Sequence, residues 1–229
     1  MAITQKKQEM KSKKLFDYDL SLKKTIIGTD EAGRGCGAGG VFAAAVCFNN
    51  NLTKDLRHEL AILNDSKKLS KKHREEIFDI IKNNTINSVI CIEVEEIERI
   101  NILNASLKAM NLACSDVIKQ ISAKEEELLV LVDGNRLIRQ FDYPQLPIIK
   151  GDGTSASIAA ASILAKVTRD RWMKKLDEMY PQYGLAKHKG YPTKAHIEAL
   201  NQYGLQDFYR RSYGPVKKLE EIRLLVIRN

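Results

Sequence analysis

Two acidic residues stand inside a glycine-rich stretch, Thr29-Asp30-Glu31-Ala32-Gly33-Arg34-Gly35, directly behind the apolar run Thr25-Ile26-Ile27-Gly28. Two more acids repeat the arrangement. Asp133 closes Leu128-Leu129-Val130-Leu131-Val132, and Asp152 follows the short run Leu146 to Lys150. An acid at the end of a buried strand carries a desolvation cost that a counter-charge or a metal offsets. If these strands neighbour one another, Asp30, Glu31, Asp133 and Asp152 converge at one end of a sheet, and their mutual repulsion favours a divalent cation. Hard oxygen donors suit magnesium or manganese better than zinc. Two such ions about 4 Å apart activate a water and stabilise the departing oxygen of a phosphodiester. Gly33-Arg34-Gly35 adds a backbone that can approach another molecule closely and a side chain that meets phosphate.

Two features complicate this reading. Adjacent strand residues point to opposite faces, so the strand is expected to end or bulge at Asp30–Glu31. Taken singly, Asp133-Gly134 and Asp152-Gly153 also read as turn dipeptides, and spacing alone does not decide between turn and ligand.

The elements that would position these acids follow from the apolar pattern. Strands are expected at 25–30, 40–48, 88–94 and 128–132, with a short one within 146–150. Ser70 predicts a capped helix over 71–82. Residues 95–121 suit two consecutive helices, 157–179 a small-residue-rich helix ended by Pro181, and 193–202 and 216–227 two more. Strands first and helices between the later strands give a mixed α/β layer architecture. Gly35-Cys36-Gly37-Ala38-Gly39-Gly40 matches a dinucleotide-binding glycine pattern, but a strand-like run follows where that fold needs a helix.

The totals narrow the classes. A chain of 229 residues with 44% hydrophobic content can bury a real core, and its net charge of +8 favours a polyanionic partner. The cysteines at 36, 47, 91 and 114 lack the spacing of a zinc or redox motif and suit a reducing cytoplasm. No apolar run of about 18 residues indicates a membrane span. Residues 1–24 carry seven lysines against three acids and read as a solvated, partly disordered basic tail. Apolar density falls near 180–190, which marks the one candidate boundary. Lys187 to Lys218 then interleaves basic residues with Tyr191, Tyr203, Tyr209 and Tyr213, a composition that suits sugar–phosphate contacts. His188, between Lys187 and Lys189, is a weaker phosphate candidate.

Across 26–218 the chain resembles prokaryotic ribonuclease HII. The matching blocks are GTDEAGRG (28–35), NDSKKLS (64–70), LNASLKAM (103–110), VDGNR (132–136), IIKGDG (148–153), IAAASILAKVTRDR (158–171), PQYGLAKHKGYPT (181–193) and RRSYGPV (210–216). The resemblance implies a ribonuclease H-like mixed sheet flanked by helices, with catalytic domain 25–185 and a C-terminal helical substrate-binding extension, 186–229. It implies an endonuclease that cuts the RNA strand of RNA/DNA hybrids and incises 5′ to single ribonucleotides in duplex DNA, leaving 5′-phosphate and 3′-hydroxyl ends. Asp30, Glu31, Asp133 and Asp152 become the ligands of Mg2+ or Mn2+. Gly33, Arg34 and Gly35 become the loop that contacts phosphate and 2′-hydroxyl, and Tyr191 the ring on the following sugar. Lys67, Lys150, Lys187, Lys189 and Arg210 are further phosphate candidates, and Asp170 reads as a helix-surface residue. A monomer and a cytoplasmic location are expected, with a DNA sliding clamp as a candidate partner.

The chain departs from the family pattern after Gly35. Pro-Leu-Ala-Gly-Pro is usual there, and Cys36-Gly37-Ala38-Gly39-Gly40 stands instead, which implies a looser loop. Tyr213 replaces the usual phenylalanine. Other enzymes of ribonuclease H-like fold, such as junction resolvases or exonucleases, and a non-catalytic hybrid-binding module are the competing readings.

Overall fold

The computed structural model describes residues 2–48, 52–64 and 69–227. Lys67 lies outside the described residues. The elements run α1 (Ala2–Ser21), β1 (Thr25–Ala32), β2 (Val41–Cys47), α2 (Lys54–Glu59), α3 (Lys71–Asn84), β3 (Ile86–Ile92), α4 (Val94–Ile100), α5 (Ile102–Ile118), β4 (Leu128–Asp133), β5 (Gln145–Ile148), α6 (Ala156–Met179), α7 (Leu185–His188), α8 (Lys194–Tyr203) and α9 (Gly214–Ile227).

The strands form one sheet in the order β3-β2-β1-β4-β5. β1 pairs antiparallel with β2 and parallel with β4. It therefore sits at the centre, as its buried residues require. Even and odd positions of the inner strands pack on different helices. Ile27, Ala43, Ala45, Val130 and Val132 share a core with α5, whereas Ala44 and Val46 share one with α3 and α6. The result is a mixed sheet flanked by helices, as expected. The glycine run 35–40 leads into β2 and not into a helix, so the dinucleotide pattern has no structural counterpart.

Helix α6 lies unusually close to the sheet. Its first ten residues are rich in alanine and all buried, and Gly28 on β1 has no side chain to hold it off. A Cβ at Gly28 would fall 2.2 Å from the Ser157 carbonyl carbon. That close approach fixes which part of α6 covers the end of β1.

Two expectations are corrected. β1 neither ends nor bulges at Asp30–Glu31. It stays in register with β2 through Ala32↔Phe42, because the sheet hydrogen bonds of this central strand outweigh the wish to turn both acids one way. Within the expected solvated tail, residues 9–21 pack instead on the rest of the chain. α1 buries Leu15 and Phe16, with Phe16 edge-on to Phe48 at 5.2 Å between ring centroids. Ser12 donates to the Leu60 carbonyl at 2.8 Å. Asp19 accepts from the amide and hydroxyl of Ser157 at 2.8 Å each, so α1 holds the start of α6. Lysines around so few apolar positions hide this face, because its partners lie far along the chain.

The C-terminal helices do not stand apart. Tyr183, Leu185, Leu200, Tyr209 and Val216 share a core with Met173 and Leu176 of α6 and with Ala38 of the glycine loop. No helix among the described residues is long and apolar enough to cross a membrane.

Candidate active site

Strand register brings the acids together. Val132 pairs with Thr29 across β1 and β4, so Asp133, one residue on, comes level with Asp30. Ile148 of β5 pairs with Asp133, and the chain then turns through Gly151–Gly153 into α6. The Gly151 amide donates to Asp133 Oδ1 at 2.6 Å, which places Asp152, the next residue, beside the same end of the sheet. Asp152 is buried.

Asp30 and Glu31 leave β1 on opposite faces yet remain coupled at its end. Asp30 faces α6, where the Ser162 hydroxyl bonds its carboxyl. Its Oδ1 also accepts from the Glu31 amide at 2.7 Å. Burial, then repulsion from Glu31 and Asp133, hold the Asp30 carboxyl well above the usual carboxylate range. Glu31 faces α5, in a cleft of about 30 Å³ lined also by Asp133, Asn135, Arg136, Ser106 and Met110. Burial raises its carboxyl too, and Arg34 opposes that shift. Arg34 Nη1 stands 3.1 Å from Glu31 Oε1.

The donor set of Asp30, Glu31 and Asp133 is all carboxylate oxygen, with Asp152 adjoining, and that chemistry fits a hard divalent cation. Among the described residues, no three acidic, histidine or cysteine side chains close on a single point. Glu31 turns to the Arg34 guanidinium and Asp133 accepts from the Gly151 amide. A roomier cavity of about 350 Å³ lies at the opposite end of β1, between α1 and Phe48. The acid cleft, by contrast, is far too small to enclose a small-molecule ligand.

The glycine loop extends this surface. Gly33 takes φ +97°, and Arg34 is half exposed beyond it. A Cβ at Gly35 would lie 3.9 Å from Cε1 of Tyr191, so the loop runs directly against that ring. Tyr191 is 47% exposed, and its hydroxyl meets the Cys36 thiol. An acid, a guanidinium, bare backbone and an aromatic ring thus follow one another across the surface.

Several sequence expectations change here. Arg210 is not a phosphate contact. It is 1% exposed, and its guanidinium donates to the carbonyls of Gly39 (2.7 Å), Gly33 (2.8 Å), Gly40 (2.9 Å) and Arg34 (3.4 Å). Its burial and the nearby Arg169 lower its pKa to about 10. This anchoring also answers the lost prolines: the loop's carbonyls are pinned by a buried cation, so it is not left loose. Tyr213 adds a bond that phenylalanine lacks, from its hydroxyl to the Gly35 carbonyl at 3.2 Å. Asp170 is not a surface residue, since it pairs with Lys166 at 2.6 Å and is 11% exposed. Lys189 is half-buried, and burial lowers its pKa. Lys150 and Lys187 are exposed and free to meet a polyanion. His188 is buried, stacked on His196 at 4.0 Å and bonded to the Tyr183 carbonyl at 2.7 Å. The cysteines behave as core thiols. Cys36, Cys47 and Cys114 are buried, and burial pushes Cys114 up to about 12. Ser162, beneath Asp30, escaped the sequence reading, although its place on a small-residue helix face was a usable signal.

Comparison with known proteins supplies the family. The family model for ribonuclease HII matches residues 27–216. A ribonuclease HII from Fusobacterium nucleatum subsp. nucleatum is 51% identical over 213 residues, covering 93% of this chain and 95% of its own length. The crystal structure of ribonuclease H2 from Pyrococcus horikoshii OT3 superposes with a TM-score of 0.67 at 26% identity, covering 86% of this chain and 97% of that one. Bst-RNase HIII in complex with Mn2+ superposes with a TM-score of 0.72 at 18% identity, covering 92% and 72%, a likeness of fold. The chain therefore belongs to the ribonuclease HII family and is a nuclease that hydrolyses phosphodiester bonds, with ribonuclease H activity on RNA/DNA hybrids.

Proposed function

We propose that this enzyme, beyond cutting hybrids, incises 5′ to single ribonucleotides embedded in duplex DNA and leaves 5′-phosphate and 3′-hydroxyl ends. The observation that carries this reading is the continuous strip from Glu31 through Arg34 and Gly35 to the exposed ring of Tyr191. A cleavage centre and a sugar-sized aromatic platform adjoin, and bare backbone lies between them.

Asp30, Glu31, Asp133 and Asp152 would hold two divalent cations, Mg2+ or Mn2+, which supply an activated water and neutralise the leaving 3′-oxygen. Ser162 keeps the Asp30 carboxyl aimed at this end of the sheet. Arg34 leaves Glu31 for the substrate phosphate, and the backbone of Gly33 to Gly35 reads the 2′-hydroxyl, the group that separates RNA from DNA. Tyr191 packs on the following deoxyribose. Lys150 and Lys187 add phosphate contacts, and Lys67 remains a candidate for the same role. We place the enzyme in the cytoplasm as a monomer, and a sliding clamp as its partner rests on the family resemblance alone.

The test is a duplex bearing one ribonucleotide, with all-DNA and long-hybrid controls and each strand mapped at nucleotide resolution. A single nick at the 5′ side of the ribonucleotide is expected. Cleavage of the hybrid with no nick at the embedded ribonucleotide would remove this activity.

A further inference from the structure

Arg169 is a buried cation that hydrolysis does not use. It is 1% exposed on α6, two turns beyond Ser162 and on the same face. Its Nη2 donates to the Ala38 carbonyl at 3.2 Å and to the Lys189 carbonyl at 3.0 Å. Ala38 lies in the loop that carries Arg34, and Lys189 lies two residues before Tyr191. The start of the loop rests on the same group, because a Cβ at Gly33 would fall 2.1 Å from Arg169 Nε. The two segments also meet directly, with the Gly37 amide donating to the Gly190 carbonyl at 2.9 Å. Arg169 Nε itself makes no hydrogen bond. A buried guanidinium with an unsatisfied donor is a poor source of stability, since an apolar side chain of similar volume often serves as well. What an apolar side chain lacks is the planar NH2 group of Nη2, whose two hydrogens pin one carbonyl from each of two distant segments at a fixed spacing.

We propose that Arg169 is a positioning residue that joins the Gly33–Gly35 loop and Tyr191 into one rigid reader. It sets that reader at a fixed distance from Asp30 through α6, which carries Ser162 and Arg169 alike. Arg169 touches no substrate. The inference rests on the reading of embedded ribonucleotides proposed above, because only that substrate needs both halves of the reader in register with the cleavage centre. A long hybrid offers a ribonucleotide at every step and tolerates a loose reader.

The experiment compares R169K and R169Q with the unmodified enzyme. KM and kcat are measured separately on a duplex with one ribonucleotide and on a long hybrid, and amide exchange is followed at Gly37 and in β1. Lysine keeps the charge and glutamine keeps a planar NH2, but the lysine ammonium is not planar and the glutamine side chain is shorter, so neither sets an NH2 where Nη2 stands. We expect kcat/KM on the single ribonucleotide to fall about tenfold or more, mainly through KM, and on the hybrid to fall about threefold or less. Exchange at Gly37 accelerates about tenfold while β1 is unaffected. Equal losses on both substrates, or full rescue by lysine, would overturn the proposal. So would unchanged exchange at Gly37. Exchange needs no substrate, so failure of the embedded-ribonucleotide activity itself, seen as an unmodified enzyme that makes no such nick, is distinguishable from failure of the Arg169 coupling.

Discussion

Arg34 Nη1 pairs with Glu31 Oε1 at 3.1 Å, which ties a half-exposed side chain to a candidate metal ligand. The pair is an electrostatic competition: the guanidinium lowers the Glu31 carboxyl that burial and Asp133 raise. A divalent cation and Arg34 then seek the same oxygen. R34A is expected to bind Mn2+ more tightly, by about two- to fivefold, as expected for losing one partly exposed competing charge. Its cleavage at a single ribonucleotide should nevertheless fall. Calorimetric Mn2+ titration beside a cleavage assay checks this, and weaker metal binding in R34A would place Arg34 in support of the ions.

Asp133 combines two jobs, since its Oδ1 accepts from the Gly151 amide while its charge repels Asp30 and Glu31. Asparagine keeps an acceptor for the amide and loses the charge. D133N is expected to fold normally and to bind a hybrid in EDTA as the unmodified enzyme does, while kcat falls about a thousandfold or more, the scale of losing a required electrostatic group. Binding by anisotropy, melting by circular dichroism and single-turnover cleavage separate these outcomes. Appreciable turnover in D133N would take Asp133 out of the catalytic set.

The histidine stack behind Tyr191 predicts an acid limit. His196 is buried between the Tyr191 carbonyl (2.8 Å) and the Tyr209 hydroxyl (3.0 Å), and burial lowers its pKa to about 4. Burial lowers His188 as well. A folded pKa below the unfolded one contributes stability that is fully present above about pH 6.5 and is lost as pH falls through the folded value. Unfolding midpoints should therefore decline between about pH 6.5 and 4. H196Q, which cannot ionise, should decline less over that window. Parallel curves for the two proteins would show that His196 is not the group responsible.

Asp19 gives the opposite sign. Burial raises its carboxyl while the Ser157 amide and hydroxyl bond it. A raised carboxyl contributes stability that is present below its unfolded pKa and lost as pH rises through the folded value, so at neutral pH the charge is a burden and the hydrogen bonds are the gain. D19N is expected to match or exceed the unmodified protein in urea unfolding at pH 7. D19A, which strands the Ser157 donors, should lose about 1–3 kcal/mol. A D19N variant as unstable as D19A would mean the charge itself holds α6.

The apolar runs ending in Asp30, Asp133 and Asp152 were legible because strand burial and the cost of an acid beside it are local properties of consecutive residues. Ser70 was legible as a cap for the same reason, and it accepts from the His73 amide at 3.2 Å. Letter order alone likewise carried the family, through blocks such as GTDEAGRG and HKGYPT. What the letters could not carry was which distant segments meet. Arg169 and Arg210 read as ordinary basic residues in a basic chain, and only folding buries them against the carbonyls of the glycine loop. α1 read as a tail because its partners, Leu60, Phe48 and Ser157, are tens of residues away. Composition and spacing determined the acids, the strands and the class of chemistry. Tertiary structure alone decided which cations stay at the surface and which hold the backbone, because a buried charge takes its role from the partners the fold places around it.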